Sequence, residues 1–381
     1  PAIARGSFDL FVCFLQAGLD VLPAGGRLGY IVPNKFLVAE YARPLREALL
    51  REYTLEEIVD VSDLPTFRDA AVYPVLLVVR KAPPPAGHRV RTGVVADLAQ
   101  LDSGDFPRTA LPQAQWAHTA HRVFWLPPAD PVARGLAERL LADADAVPLA
   151  QLLEMRWTVS FHRAGVRDRF VFPTAQGRCP RRLLGGTRFQ GNGDVRRYRL
   201  AWSGWWIDYD EERARAEGNP LPPAALFAGP KLVIAQNARR IIATLDTQEH
   251  VCKDTFLAAR RRPGAPSEPY LLALLNSRLL SYLYRVLFKA THVNGAYLHY
   301  LACYLGDLPI RRASYCDYVK AKADIARLTA IMPEHAAFLA FCKETHDNEA
   351  IPGRPGPYDS KLHHFVLIQN AKAVVKRYEN Q

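Results

Sequence analysis

Among its 381 residues the chain has two methionines and six cysteines, and no two cysteines form a C-x-x-C pair. Cys13, Cys179, Cys252, Cys303, Cys316 and Cys342 stand singly, which excludes the paired spacing of a zinc site or a thioredoxin-type redox centre. Scattered thiols suit a reducing compartment, so the expected location is the cytoplasm. The histidines His162, His292, His299, His363 and His364 have no ligand spacing with acids, and no metal is expected. No run approaches the roughly 18 uninterrupted apolar residues of a spanning helix, so no membrane association is expected. The chain also lacks an internal repeat. It opens on Pro1, and Pro1 to Ser7 has no basic start, apolar stretch or small-residue cleavage site. The expectation is that sequence in front of Pro1 is missing.

Acidic charge is the minority. Forty-nine Lys and Arg against 38 Asp and Glu give a net charge of +11, which favours a polyanionic partner without separating DNA from RNA or an anionic membrane. The placement of charge says more. From Arg156 to Arg199 there is no lysine, arginines recur throughout, and the only acids are Asp168 and Asp194. The planar arginine fork suits phosphate oxygens and guanine edges better than a point charge does. A solvated basic face is the plainer alternative.

Periodicity sets out the elements. Residues 8–22 carry apolar side chains at helical spacing, closed by Pro23 and Gly25-Gly26. Leu28 to Pro33 reads as a short apolar strand buried on both faces. Ala39 to Arg51 reads as an amphipathic helix with Pro44 in its first turn. Strands follow at Leu55 to Val61 and Ala71 to Val79, with Pro74 suggesting one unpaired flank. This order is the later part of an alternating α/β sheet that needs two or three further β-α units before it. Four segments result: 1–82, a sheet; 83–148, a connecting stretch with a strand at Val90 to Leu98 and a helix at Pro128 to Leu141; 149–312, short strands divided by Gly, Pro and Asn; and 313–381, a helical extension. Tyr270 to Phe288 is the strongest helix, apolar over a wide face. Asp208, Asp210, Glu211 and Glu212 read as a solvated strand end.

Several segments in order resemble the amino-group adenine DNA methyltransferases of the TaqI-like type. These are FDLFVCFLQAGLDVLPAGGRLGYIVPNKFLVAEYARPLREALL, IVDVSDLPTFRDAAVYPVLLVVRK, GDVRRYRLAWSGWWIDYD, GPKLVIAQNARRIIATLD, YLLALLNSRLLSYLYRVLF and LGDLPIRR, spanning roughly residues 5–312. The resemblance implies an α/β chain: the C-terminal part of a Rossmann-like methyltransferase sheet, then a mixed α+β target-recognition domain and a helical tail. It implies double-stranded DNA as partner and S-adenosylmethionine as donor in the complete form. The family's glycine loop for the donor and its Asn-Pro-Pro-Tyr motif are not found. Gly25-Gly26-x-x-Gly29 precedes a strand instead of following one. Asn219-Pro220-Leu221-Pro222 lacks the aromatic and lies far downstream. An exocyclic adenine amine is a poor nucleophile until acceptors take its protons, so no catalytic residue is expected here, and the chain alone is expected to transfer no methyl group. The complementary catalytic half would be missing preceding sequence; a stand-alone specificity subunit serving a separate methylase chain is the alternative.

The resemblance also assigns residues. Phe67 matches the aromatic that stacks behind a flipped adenine, or is a loop residue packed on the sheet edge. Phe14 matches a position lining the donor's adenine pocket, or is plain core. Lys35, with Asn34, follows a strand end where ligands gather in open α/β sheets, and Asn34 equally suits a helix cap. Arg188, Arg196, Arg197, Lys231, Arg239 and Arg240 are the expected DNA contacts. Asn276-Ser277 is expected to cap or cross-link.

Overall fold

The structure, a computed structural model, describes residues 8–311 apart from 68–71, 162–164, 187–192 and 295. The helices expected within 313–381 lie outside the described residues. The chain is a mixed α/β protein whose described residues fall into two units. One comprises those up to Ala142 together with Leu283–Ala296; the other comprises Asp143–Tyr282 and those from Tyr297 onward.

In the first unit, helix α1 (Phe11–Val21) precedes strand β1 (Arg27–Pro33), helix α2 (Arg43–Glu52), strands β2 (Thr54–Asp60), β3 (Pro74–Arg80) and β4 (Arg89–Val94), helix α3 (Leu98–Ser103), strand β5 (Arg108–Pro112) and helix α4 (Pro131–Leu141). The five strands make one sheet in the order β1-β3-β2-β4-β5. The helix–strand alternation suggested a parallel sheet, but only β2 and β4 pair in parallel. β3 inserts between β1 and β2 and runs against both. Pro74 therefore does not mark an unpaired flank. It opens the interior strand β3 opposite Pro33, where the N–H it lacks falls at the ladder's end. The stretch 83–148 contributes β4 and β5 to this same sheet.

β1 is an edge strand, and its Tyr30 and Ile31 are exposed, so it is not buried on both faces as its apolar run suggested. On α1, Val12, Leu15 and Leu19 are buried, and Gly18 allows the close approach to β1: a Cβ there would stand 2.7 Å from Tyr30 Oη. Arg46 of α2 is fully buried and donates to the carbonyls of Phe36, Ala39, His121 and Arg122, tying two loops to the helix. A charge buried this way is tolerated because its donors are satisfied by oriented carbonyl dipoles. Pro44 does lie in the first turn of α2.

In the second unit, two four-stranded sheets share one core. The first runs Ala243–Asp246, Lys231–Ala235, Phe256–Arg261, Leu153–Arg156, all antiparallel. The second runs Val251–Cys252, Pro180–Leu184, Trp206–Asp208, Val171–Phe172. Val233, Ala235, Phe256 and Ala258 from the first meet Val171, Leu183, Ile207 and Val251 from the second.

The long helix expected over residues 270–288 is two helices, Glu268–Leu275 and Arg278–Phe288, bent by 59° at Asn276-Ser277. Asn276 accepts from the Ala243 amide at 3.0 Å and donates to its carbonyl at 2.9 Å, pairing with a strand as another strand would. Ser277 Oγ then accepts from the Leu280 amide at 3.0 Å and caps the second helix. Among the described residues no single helix is long and apolar enough to cross a membrane; the bent pair passes only by length and composition.

Candidate nucleic-acid interface

Val195–Arg196 and Arg199–Leu200 pair antiparallel around a turn at Arg197-Tyr198. Tyr198 sits at φ 62°, a left-handed conformation that a bulky side chain holds only when its surroundings impose it. The anchor is visible: the Tyr198 amide donates to the Ala243 carbonyl at 3.1 Å. Val195 is buried in the core of this unit, while Arg196 and Arg199 face solvent.

Arg197 donates through Nη2 to the Asn276 carbonyl at 2.7 Å, and its Nε is buried without a partner. Arg197 and Arg278 both lie close enough to Arg240 for their charges to act on it. Burial lowers the pKa of Arg240, and the positive charges of Arg197 and Arg278 lower it further. Among the described residues no carboxylate pairs with any of these three. Three guanidinium groups without an acid between them repel one another, and an anion seated there would relieve that repulsion. The bend at Asn276-Ser277 creates the site, because it fixes Arg197 through the Asn276 carbonyl and presents Arg278 at the start of the next helix. Nearby, the Arg239 guanidinium carbon lies 5.5 Å from the centre of the Tyr297 ring.

Other arginines of the Arg156 to Arg199 stretch serve the fold. Arg167 pairs with Asp168, Arg169 with Glu217 and Arg178 with Asp210, and Arg182 bonds Gln248. Asp208 and Asp210 are buried, not solvated. Asp208 accepts from the Cys179 amide and from Arg213, and Asp210 caps the helix Glu211–Ala216. Asn219 is likewise structural, its side chain donating to the Ser160 carbonyl.

In the first unit, Phe67 is half exposed at the end of a loop folded by bonds from the Leu64 amide to the Val61 carbonyl and from the Thr66 amide to the Leu64 carbonyl. Lys289 holds the base of this loop, its Nζ 2.9 Å from Asp60 and 2.7 Å from Asp63. The neighbouring His292 ring is buried without a hydrogen-bond partner and meets Tyr73 edge to face at 5.0 Å. Burial and the Lys289 charge lower its pKa, so the ring is neutral. Phe14 is 68% exposed, on the face of α1 opposite Val12, Leu15 and Leu19, so it is not core. Nothing among the described residues encloses it. Lys35 is exposed in the short 3-10 turn Asn34–Leu37, whose cap position is Pro33, so the buried Asn34 does not act as that turn's cap.

Two families match the chain: the TaqI-like C-terminal specificity domain over residues 188–310, and the Eco57I restriction-modification methylase over residues 2–67. The specificity-domain match thus lies behind the methylase match along the chain. Among curated proteins it is 35% identical over 77 residues to the type II methyltransferase M.XhoI of Xanthomonas vasicola, a match covering 20% of this chain and 14% of that protein. It is 31% identical over 74 residues to the type II methyltransferase M.PaeR7I of Pseudomonas aeruginosa, covering 19% and 13%. Among solved structures, the type IIL restriction-modification enzyme MmeI in complex with DNA aligns with 97% of this chain and 50% of its own, at 12% identity and a TM-score of 0.48. The matches thus span well under two thirds of each of these relatives.

The three arginines lie within the residues that match the specificity-domain family, and there the expected residues separate. Arg196, Arg197, Arg239 and Arg240 lie on or near the turn and the 237–240 loop; Arg188 lies outside the described residues. Lys231 is a correction. It is fully buried, donates to the Phe227 carbonyl, and pairs with Asp246 at 2.5 Å. It opens a strand buried along its whole length, so its charge faces the core and cannot reach a ligand. Sequence reasoning missed Arg278, whose only signal was its place after the helix-breaking Asn276-Ser277. It also missed Lys289, which no local pattern connects to Asp60.

Proposed function

We propose that this chain is the DNA-recognition portion, with part of the methyltransferase domain, of a restriction-modification adenine-N6 DNA methyltransferase. In its complete form that enzyme would use S-adenosylmethionine. The observation that carries the reading is the closeness of the Arg197 and Arg278 charges to Arg240, with no carboxylate paired to any of the three among the described residues. Such a site suits a phosphate-bearing polymer, because guanidinium groups donate in pairs to phosphate oxygens. The exposed Arg196 and Arg239, next in sequence to Arg197 and Arg240, add to the basic surface.

The first unit is assigned to the catalytic side of the same event. Phe67, half exposed on a loop pinned at its base, would stack on a base swung out of the duplex, with Lys35 contacting the backbone and Phe14 contributing to the donor's ring pocket. Leu10, Phe14 and Val21 are exposed on one face of α1, and Ile31 is exposed on the edge strand β1. Apolar surface at a sheet edge suits further strands and helices laid against it. We assign that place to the part of the methyltransferase domain that holds the donor and activates the amine.

Filter binding of the chain to duplex DNA across a salt series tests the proposal. Affinity should fall steeply between about 50 and 200 mM salt as phosphate contacts release counterions. Affinity indifferent to salt would overturn it.

A further inference from the structure

We infer that Trp157, Tyr297 and Arg239 form a platform that takes an unstacked nucleobase of bound DNA. The inference rests on the DNA-binding reading above and goes beyond it, since phosphate contacts alone need no aromatic surface. Trp157 lies outside the residues that match the specificity family.

Tyr297 and His299 are two apart on one short strand, so they project from the same face, while Leu298 between them is buried. The Trp157 ring meets His299 at 6.3 Å and 77°, and the Arg239 guanidinium lies over Tyr297. The contacts thus run from Arg239 to Tyr297 and from His299 to Trp157, with one strand supplying the two middle residues. His299 is held in place: its Nε2 donates to Gln236 Oε1 at 3.0 Å, and the buried Gln236 side chain donates to the Phe256 carbonyl. Trp157 is fixed by its neighbour, because the buried Thr158 hydroxyl donates to the Phe256 carbonyl at 2.9 Å.

Despite that support, Trp157 is 54% exposed and Tyr297 43% exposed. Half-exposed aromatic rings beside an arginine cluster offer a stacking surface of the kind that bases use. Arg239 stands over one ring, and Arg240 beside it belongs to the anion site, so the occupant must present both negative charge and a flat π-face. An apolar protein segment would strand these guanidinium groups away from water, whereas a nucleotide satisfies both demands. Within an intact duplex each base face is already covered by its neighbours, so the platform's partner is a base that has left the stack.

The test compares the full chain on a mixed-sequence duplex with the same duplex carrying one central bulged base, alongside the W157A and W157F variants. The wild-type chain should favour the bulged duplex about tenfold, the size of one base–aromatic stack. W157A should lose that preference with its salt dependence unchanged, W157F should keep most of it, and the tryptophan fluorescence quenched on binding should shrink in W157F. A preference that survives in W157A, or no preference in the wild-type chain that still binds with steep salt dependence, overturns the platform and leaves the DNA reading standing. No binding to either duplex overturns both.

Discussion

Lys289 and Asp63 are 226 positions apart in sequence and 2.7 Å apart in space. The same Nζ reaches Asp60, whose side chain is almost fully buried. A late segment of the chain thus holds the base of the loop that carries Phe67.

Replacing Lys289 tests that hold. Lys289→Met would leave Asp60 buried without a counter-charge, and the expected loss is about 3 kcal/mol or more. Asp63→Asn, at an exposed carboxylate, should cost under about 1 kcal/mol. Burial works against the Lys289 charge, but Asp60 and Asp63 outweigh it and raise the pKa above its ordinary value. The pair's contribution is therefore complete below about 10.5 and is lost as pH rises through the higher folded value. Urea unfolding of the two variants at neutral and alkaline pH checks both points, and equal losses in the two variants would contradict the assignment.

Lys231 and Asp246 form a second pair, wholly buried, with His250 Nδ1 on the other carboxylate oxygen at 2.9 Å. Burial opposes the Asp246 charge, yet bonds from His250 and Lys231 prevail and hold its pKa at about 2, below the ordinary 3.8. Its contribution to stability is complete above the ordinary carboxylate range and is lost as pH falls toward about 2. Lys231→Met should cost about 3–5 kcal/mol at neutral pH, because it strands a buried carboxylate. That loss should shrink in acid. Thermal unfolding of the variant across the acid range measures it, and a loss that stays constant with pH would count against the pairing.

Asn276→Ala removes both bonds to Ala243 and leaves the buried Ala243 amide unsatisfied, while the Ala243 carbonyl still accepts from the Tyr198 amide. The expected cost is about 1–3 kcal/mol for that unpaired donor. Because the Asn276 carbonyl also anchors Arg197, the variant should bind DNA more weakly even under conditions where it is fully folded. Circular dichroism alongside binding separates the two effects. Full affinity in the folded variant would remove Asn276 from any part in shaping the anion site.

Local pattern was enough to place α1, α2 and α4, because apolar spacing and proline positions act within a few residues. Strand order was not legible. β3 lies between β1 and β2 for reasons of long-range pairing, and no period in the sequence distinguishes that order from a parallel succession. The break in the long apolar helix was also hidden, since Asn276 leaves the helix to bond a strand over thirty positions earlier. Arg197, Arg239 and Arg240 stood out by residue type. Lys231 stood out equally and is buried, because residue type carries no record of depth; Asp246, which neutralises it, lies fifteen positions away across a strand pair.

The central claim is that Arg197, Arg240 and Arg278 together hold DNA phosphates. The decisive measurement is the slope of log affinity against log salt for the chain and for the triple variant R197Q/R240Q/R278Q, with R51Q as a control for charge alone, Arg51 being exposed and paired with Glu52. Each phosphate that the protein no longer neutralises should flatten the slope by about 0.9, so the triple variant should be shallower by nearly 3 while R51Q stays with the parent chain. Parallel lines for parent and triple variant would contradict the claim.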